Sequence, residues 1–265
     1  MSADCVEVPL PGGFTNAGLV TRIGDTVRRP QGPTSRASRA VLEHLERVGF
    51  DGAPRFLGID DQGREVLGFI PGEAAIEPHE EWALTDEALV SVAELLHSYH
   101  GAVASFDPAG HVWPDFVPPE FRGGLVSHDD PNLDNVIFCG ERAVALIDFD
   151  LASPGSAVWD VACAARLWAP LRAERDTPEQ VRGRSLERLR IFVDAYGLSR
   201  RDRAEMVDAL VPAHERCYRV VRDAVDRGHD TFGHMWRDGG RERAGRTRSW
   251  LVSHDAQMRA ALLAR

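Results

Sequence analysis

Between Ser127 and Asp150 the chain reads S-H-D-D-P-N-L-D-N-V-I-F-C-G-E-R-A-V-A-L-I-D-F-D, and no other stretch restricts its folding as tightly. Val136-Ile137-Phe138 and Ala143-Val144-Ala145-Leu146-Ile147 are β-prone runs joined by Cys139-Gly140-Glu141-Arg142, which predicts a hairpin with a four-residue turn. A hairpin brings its two ends together. With the turn centred between Gly140 and Glu141, Asn135 lies across from Leu146, and Asp148 falls just past that pair, beside the polar loop from His128 to Asn135. Carboxylates and an amide gathered at one open end suit a hard cation such as Mg2+, which takes few protein oxygens and completes its shell with substrate phosphates. The pattern points to phosphoryl transfer.

The 265 residues, 43% of them hydrophobic, suffice for one large domain or for two lobes around a cleft. No apolar run reaches the roughly eighteen residues a membrane span needs. The N-terminus M-S-A-D-C-V-E-V-P-L lacks the basic and apolar regions of a signal peptide, so the expected location is the cytoplasm, away from membranes. Cys5, Cys139, Cys163 and Cys217 form no C-x-x-C pair, and neither a zinc site nor a disulfide framework is expected. A net charge of −10 argues against nucleic acid as a partner, since phosphate backbones need clustered basic residues, and it favours cationic partners or simply solubility. All 31 basic residues are arginine, so a Walker A loop with its lysine is impossible. Any phosphate must be held by arginine, backbone amides or metal.

Ahead of Pro71, β-type runs around Leu19–Ile23, Asp25–Arg29, Arg55–Ile59 and Glu65–Ile70 alternate with turns, as in a small antiparallel sheet. Ser35 to Val48 lies among them with Ala37, Val41, Leu42, Leu45 and Val48 on one helical stripe and Gly49 as a stop. Pro71-Gly72 then breaks the pattern. Helices are expected over Thr85–Ser105, Ser156–Trp168, Glu179–Tyr196, Ser199–Gly228 and Arg241–Leu263, the fourth opened by a Ser199-x-x-Asp202 capping box. The expected lobes are residues 1–70 and 71–265.

A small β-rich lobe, a hinge, and a helical lobe carrying H-x-D-x-x-x-x-N, a strand and I-D-F together resemble the aminoglycoside phosphotransferase family, relatives of the protein kinases. The resemblance spans roughly residues 8 to 170 and implies an α+β, two-lobed, protein-kinase-like fold, its larger C-terminal lobe mostly helical. It makes His128 the brace of the catalytic loop and Asp130 the catalytic carboxylate. It makes Asn135 and Asp148 metal ligands, with Asp150 a third ligand or a turn cap, and Asp160 a structural support of the loop. Asp129 stands where the family often has glycine, and its charge would raise the Asp130 pKa if the two carboxylates are close. In the small lobe, Gly12, Gly13, Thr15 and Asn16 resemble the loop that covers the nucleotide, Arg28 falls where the family binds phosphate, and Gly68-Phe69-Ile70 resembles the hinge whose backbone meets the purine. Arg29 should face the opposite side of its strand. The acidic partner the family places on the following helix is not evident, because the register offers Ser38 and Glu43 lies more than a turn away. His97 and His100 have a spacing that could ligate metal on a helix, but no third ligand is in view, and helix packing is the favoured reading. The same reading applies individually to Asp226, His229, Trp236, Trp250 and His254 in the terminal helical region.

The expected activity is Mg2+-dependent transfer of the γ-phosphate of ATP or GTP to a hydroxyl of a small molecule, an aminoglycoside-type or other cationic antibiotic being one candidate. Choline, homoserine or a sugar is the alternative acceptor class. A catalytically idle, nucleotide-binding regulatory protein is the rival from another class.

Overall fold

The β-prone runs ahead of Pro71 pair into one antiparallel sheet in the computed structural model, which describes residues 6–11, 18–76, 79–228, 233–234 and 236–263. Its strands are β1 (Glu7–Pro9), β2 (Thr21–Ile23), β3 (Thr26–Arg29), β4 (Phe56–Ile59) and β5 (Glu65–Gly68), in the order β1-β2-β3-β5-β4. Helix α1 (Ser35–Arg47) separates β3 from β4 and buries Val41 and Leu45 completely. Gly49, at φ 77°, reverses the chain after it, a conformation glycine adopts without steric cost.

After Gly72 the chain makes β6 (Glu73–Ala74) and α2 (Asp86–Val103), then β7 (Leu125–Ser127), β8 (Val136–Cys139), β9 (Arg142–Leu146) and β10 (Ser153–Gly155). β6, β8 and β9 form one small sheet, and β7 pairs with β10. The helical remainder is α3 (Ala157–Trp168), α4 (Ser185–Tyr196), α5 (Arg200–Asp226), α6 (Arg241–Ser253) and α7 (Asp255–Leu263). The N-caps are local chemistry: the Thr85 hydroxyl accepts from Ala88 N–H (3.1 Å) and the Ser156 hydroxyl from Trp159 N–H (3.2 Å). Ser199 Oγ likewise accepts from Asp202 N–H at 3.3 Å and donates back to the Asp202 carboxylate at 2.7 Å.

The helix expected over Glu179–Tyr196 starts later, because Gly183 takes φ 78° and only a short 3-10 turn precedes it. The helix expected over Arg241–Leu263 is divided at His254, whose backbone leaves helical geometry. One continuous core joins the lobes, with α2 at its centre: Leu89, Leu96 and Tyr99 on it are fully buried, and the helix packs against α1, α3, α4, β7 and β9. Burial of each such side chain stabilises the fold by about 2 kcal/mol.

Candidate active site

The hairpin forms, with a correction to its register. Cys139 pairs with Arg142, so only Gly140 and Glu141 make the turn, and Gly140 supplies its φ of 61°. A bulge in β9 then inserts one residue, so that Val136 rather than Asn135 faces Leu146. Asn135 meets Ile147 instead, through Ile147 N–H to Asn135 O at 2.9 Å. The two polar ends still converge, one residue out of step with a plain hairpin.

The loop after β7 is held from below by Asp160 on α3. Its carboxylate accepts from His128 N–H (2.7 Å), Asp129 N–H (2.8 Å) and His100 Nε2–H (2.9 Å). Burial would raise Asp160, but these donors hold its pKa below the ordinary carboxylate value. His100, whose other nitrogen meets the Tyr196 hydroxyl at 2.7 Å, is therefore a packing and hydrogen-bonding residue. His128 Nε2 donates to Ile147 O (3.0 Å), while Nδ1 accepts from Asp130 N–H (3.3 Å). That arrangement needs a neutral ring, and burial lowers the His128 pKa to about 4.

Asp130 has both carboxylate oxygens oriented, Oδ1 by Asn132 Nδ2 at 2.8 Å and Oδ2 by Asn135 Nδ2 at 3.1 Å. Its pKa is raised by burial, with Arg216 and Arg166 pulling it back and Asp134 adding to the rise. Asp129 is not the source of that shift. Its carboxylate turns away, accepting from Trp159 Nε1 (2.7 Å) and from the Ser153 hydroxyl. Asp129 and Asp148 are, among the described residues, the only non-glycine positions with positive φ, at 67° and 62°. Aspartate tolerates this region better than most residues, at a cost of about 1 kcal/mol or more.

Across the cleft the two arginines of β3 exchange the expected places. Arg28 lies on the outer side, 2.6 Å from Thr26 Oγ1 and 3.6 Å from Asp60 Oδ2, so it does not reach the aspartates. Arg29, 7% exposed, reaches them: Nη1 is 3.3 Å from Asp148 Oδ1, and Nη2 bonds Asp150 Oδ1. The signal was present in the alternation of the strand, since Arg29 shares a face with Val27, which packs against the core. Nor does the acidic partner come from the helix. It is Glu65 on β5, 1% exposed, directly opposite Arg29 in the ladder, with Nε to Oε2 at 2.7 Å. Helix α1 contributes a second cation, Arg39, 3.0 Å from Glu65 Oε1. Ser38 instead donates to Phe149 O at 3.0 Å, fastening α1 to the I-D-F segment.

Asp148 and Asp150 thus gather around the head of Arg29, Asn135 lies against Asp130, and the Asp130 charge is felt at Asp148. Burial and the neighbouring Asp150 charge push the Asp148 carboxyl up to about 7, against the pull of Arg29, although 38% of the side chain still meets solvent. Among the described residues no three His, Cys, Asp or Glu side chains make a ready metal cage. The oxygen donors and crowded negative charge nevertheless fit Mg2+, whose shell normally includes several non-protein oxygens.

The Gly68 and Phe69 amides already donate, to Arg55 O (2.8 Å) and Asp25 O (2.9 Å), and Arg22 covers the Phe69 ring at 3.6 Å. Ile70 follows them, half-buried and outside any strand. Gly12, Gly13, Thr15 and Asn16, like His229, lie outside the described residues.

Residues 111–206 match the Phosphotransferase enzyme family. The chain is 33% identical to the trifolitoxin immunity protein of Rhizobium leguminosarum bv. trifolii, over 97% of this chain and 98% of that one. In fold it is similar to a choline/ethanolamine kinase family protein from Mesorhizobium loti (TM-score 0.64, 18% identity, 98% of this chain and 93% of that one). It is likewise similar to aminoglycoside 2'-phosphotransferase-IIIa in its GDP complex (TM-score 0.56, 13% identity, 95% and 93%). A kinase-like fold with these carboxylates at its cleft defines a small-molecule kinase. The chain belongs to the phosphotransferase enzyme family.

Proposed function

We propose that the protein transfers the γ-phosphoryl group of ATP or GTP to a hydroxyl of a small molecule, with Mg2+. The observation that carries this reading is Asp130: a carboxylate oriented on both oxygens, in a loop of the large lobe near Asp148, which with Asp150 meets Arg29 of the small lobe. Asp130 orients the acceptor hydroxyl and takes its proton. Asn135, whose amide nitrogen is engaged by Asp130, has its oxygen left to join Asp148 and Asp150 as the residues that would hold the cation. The chemistry such a cation would supply there is neutralisation of charge on the transferring phosphoryl group. Arg29 replaces Arg28 as the small-lobe residue that meets phosphate, exchanging a carboxylate for a phosphate oxygen when nucleotide enters. Ile70 is the hinge residue left to meet the purine, since the Gly68 and Phe69 amides are already bonded.

Two features bear on the acceptor. A relative that matches along nearly the whole chain is named a trifolitoxin immunity protein, which supports an antimicrobial acceptor over a metabolite. A cleft of about 740 Å3 between residues 172–180 and the start of α6 is lined by four arginines, Arg172, Arg175, Arg243 and Arg246, and three carboxylates, Asp176, Asp238 and Glu242. It adjoins the catalytic loop through His79, which bonds Ala75 O (2.9 Å), while Ala75 N–H bonds Leu133 O (3.2 Å). Mixed charge of this kind supports an acceptor bearing carboxylate as well as ammonium groups, such as a peptide antibiotic, over a pure polycation.

The test is ADP or GDP release with Mg2+ against aminoglycosides, peptide antibiotics, choline, homoserine and sugars, with Asp130→Asn as the control. A signal lost in the variant supports the reading, whereas turnover unchanged by Asp130→Asn removes Asp130 from the chemistry. Nucleotide binding without turnover on any acceptor favours the idle, regulatory alternative.

A further inference from the structure

Beneath the catalytic loop lies a cation that phosphoryl transfer as described leaves unused. Arg216 projects from the middle of α5 and is 1% exposed. Nη1 donates to the backbone carbonyl of Asp129 at 2.6 Å, and Nε and Nη2 are buried with no hydrogen-bond partner among the described residues. It makes no ion pair there within 4.0 Å, although Asp129, Asp130 and the Cys163 thiol all lie within its field. A buried guanidinium costs several kcal/mol to desolvate. The Asp129 and Asp130 charges offset that cost and keep the group protonated, but its single hydrogen bond goes to a backbone carbonyl and not to either carboxylate.

The place of that carbonyl explains the arrangement. The peptide between Asp129 and Asp130 follows a residue at φ 67°, a strained conformation for a residue with a side chain, which persists only when its surroundings hold it. Both edges of the plane are held: the Asp129 oxygen by Arg216 Nη1, and the Asp130 N–H by His128 Nδ1. Asp129 is also tied at its own N–H by Asp160, and at its carboxylate by Ser153 and Trp159. Every polar group of Asp129 is therefore engaged, two of them by Trp159 and Asp160 of α3, and its carbonyl by Arg216 of α5. If the plane turned, the Asp130 side chain would leave the orientation set by Asn132 and Asn135.

We propose that Arg216 is a positioning residue for phosphoryl transfer: it locks the Asp129–Asp130 peptide plane, and so the aim of Asp130, from helix α5. This rests on the reading of Asp130 as the base. The lock acts through a donor and a fixed charge, so lysine should replace it in part and methionine, of similar volume, should not. It also places α5 between α6 and the chemistry, since His214, two residues back and so on the opposite side of the helix, bonds Ala244 of α6 at 2.9 Å.

The experiment compares Arg216→Met, Arg216→Lys and Asp130→Asn for Mg-nucleotide affinity and for ADP or GDP release, with the acceptor found by the panel and with water alone. Expected for Arg216→Met is a hundredfold or greater fall in turnover, with nucleotide affinity within threefold of wild type. Arg216→Lys should retain turnover within tenfold. Turnover within threefold of wild type in folded Arg216→Met overturns the proposal, as does an equal fall in both variants together with nucleotide affinity. Should the methionine variant not fold, nitrogen NMR of the wild-type His128 ring decides: the plane as described requires the proton on Nε2 and an accepting Nδ1, and the opposite tautomer overturns the lock. Activity surviving Asp130→Asn would instead sink the reading of Asp130 itself.

Discussion

Arg29 Nη1 lies 3.3 Å from Asp148 Oδ1, a contact that ties β3 of the small lobe to the residue following the hairpin of the large one. The same guanidinium holds Glu65 and Asp150, so one buried side chain serves both lobes. Arg29→Met leaves Glu65 buried with only Arg39 beside it, and should destabilise the fold by about 3 kcal/mol. Denaturant unfolding measures that loss. Titration calorimetry with Mg-nucleotide should show weakened binding in the same variant, while Arg28→Met leaves both nearly unchanged.

Asp160 accepts three hydrogen bonds while fully buried, and an amide offers only one oxygen in its place. Asp160→Asn turns an NH2 group toward a backbone N–H. The expected cost is about 2 to 4 kcal/mol, with turnover reduced because His128 and Asp129 lose their anchor. Thermal melting and nucleotide turnover measured on one preparation separate the two effects, and a variant with wild-type melting would contradict the anchoring role.

Gly72 sits at the passage between the lobes with φ 145°, and a Cβ added there would stand 2.4 Å from Phe138 O. The obstacle is backbone of β8, which cannot swing aside. Gly72→Ala should therefore cost about 2 kcal/mol or more, from strain and clash together. Gly140→Ala, where a Cβ meets nothing within 4 Å, carries the φ penalty alone and should cost less in the same unfolding assay.

His214 donates to Ala244 O, and burial depresses its pKa from the ordinary 6.5 to about 4. Between those values the unfolded chain binds the proton and the folded one does not, so stability falls as pH drops from about 6.5 to about 4. The contribution is at most about 3 kcal/mol. His214→Gln keeps a donor and cannot titrate. Its unfolding midpoint should lose less than the wild-type midpoint between pH 7 and pH 4.5, and parallel losses would show that other groups govern the acid limb.

Much of the architecture was legible in residue order because it follows from local rules. The β-prone runs before Pro71, the α1 stripe with Gly49 behind it, and the threonine and serine caps each depend on neighbours within a few positions. So does the polar loop between two strands that puts Asp130 and Asn135 near Asp148. What the residue order left open depends on partners far away in the chain. The β9 bulge shifted the hairpin by one residue because pairing within the sheet, not turn symmetry, sets register. Which arginine of β3 faces the cleft followed from the side of the sheet that α1 covers, and its acidic partner came from β5, 36 residues away. Arg216 lies 87 residues from the carbonyl it holds, a distance at which no spacing rule operates. The kind of chemistry was written in one short stretch of sequence, but the groups that aim and balance it were chosen by packing, because burial alone decides which charges must find one another.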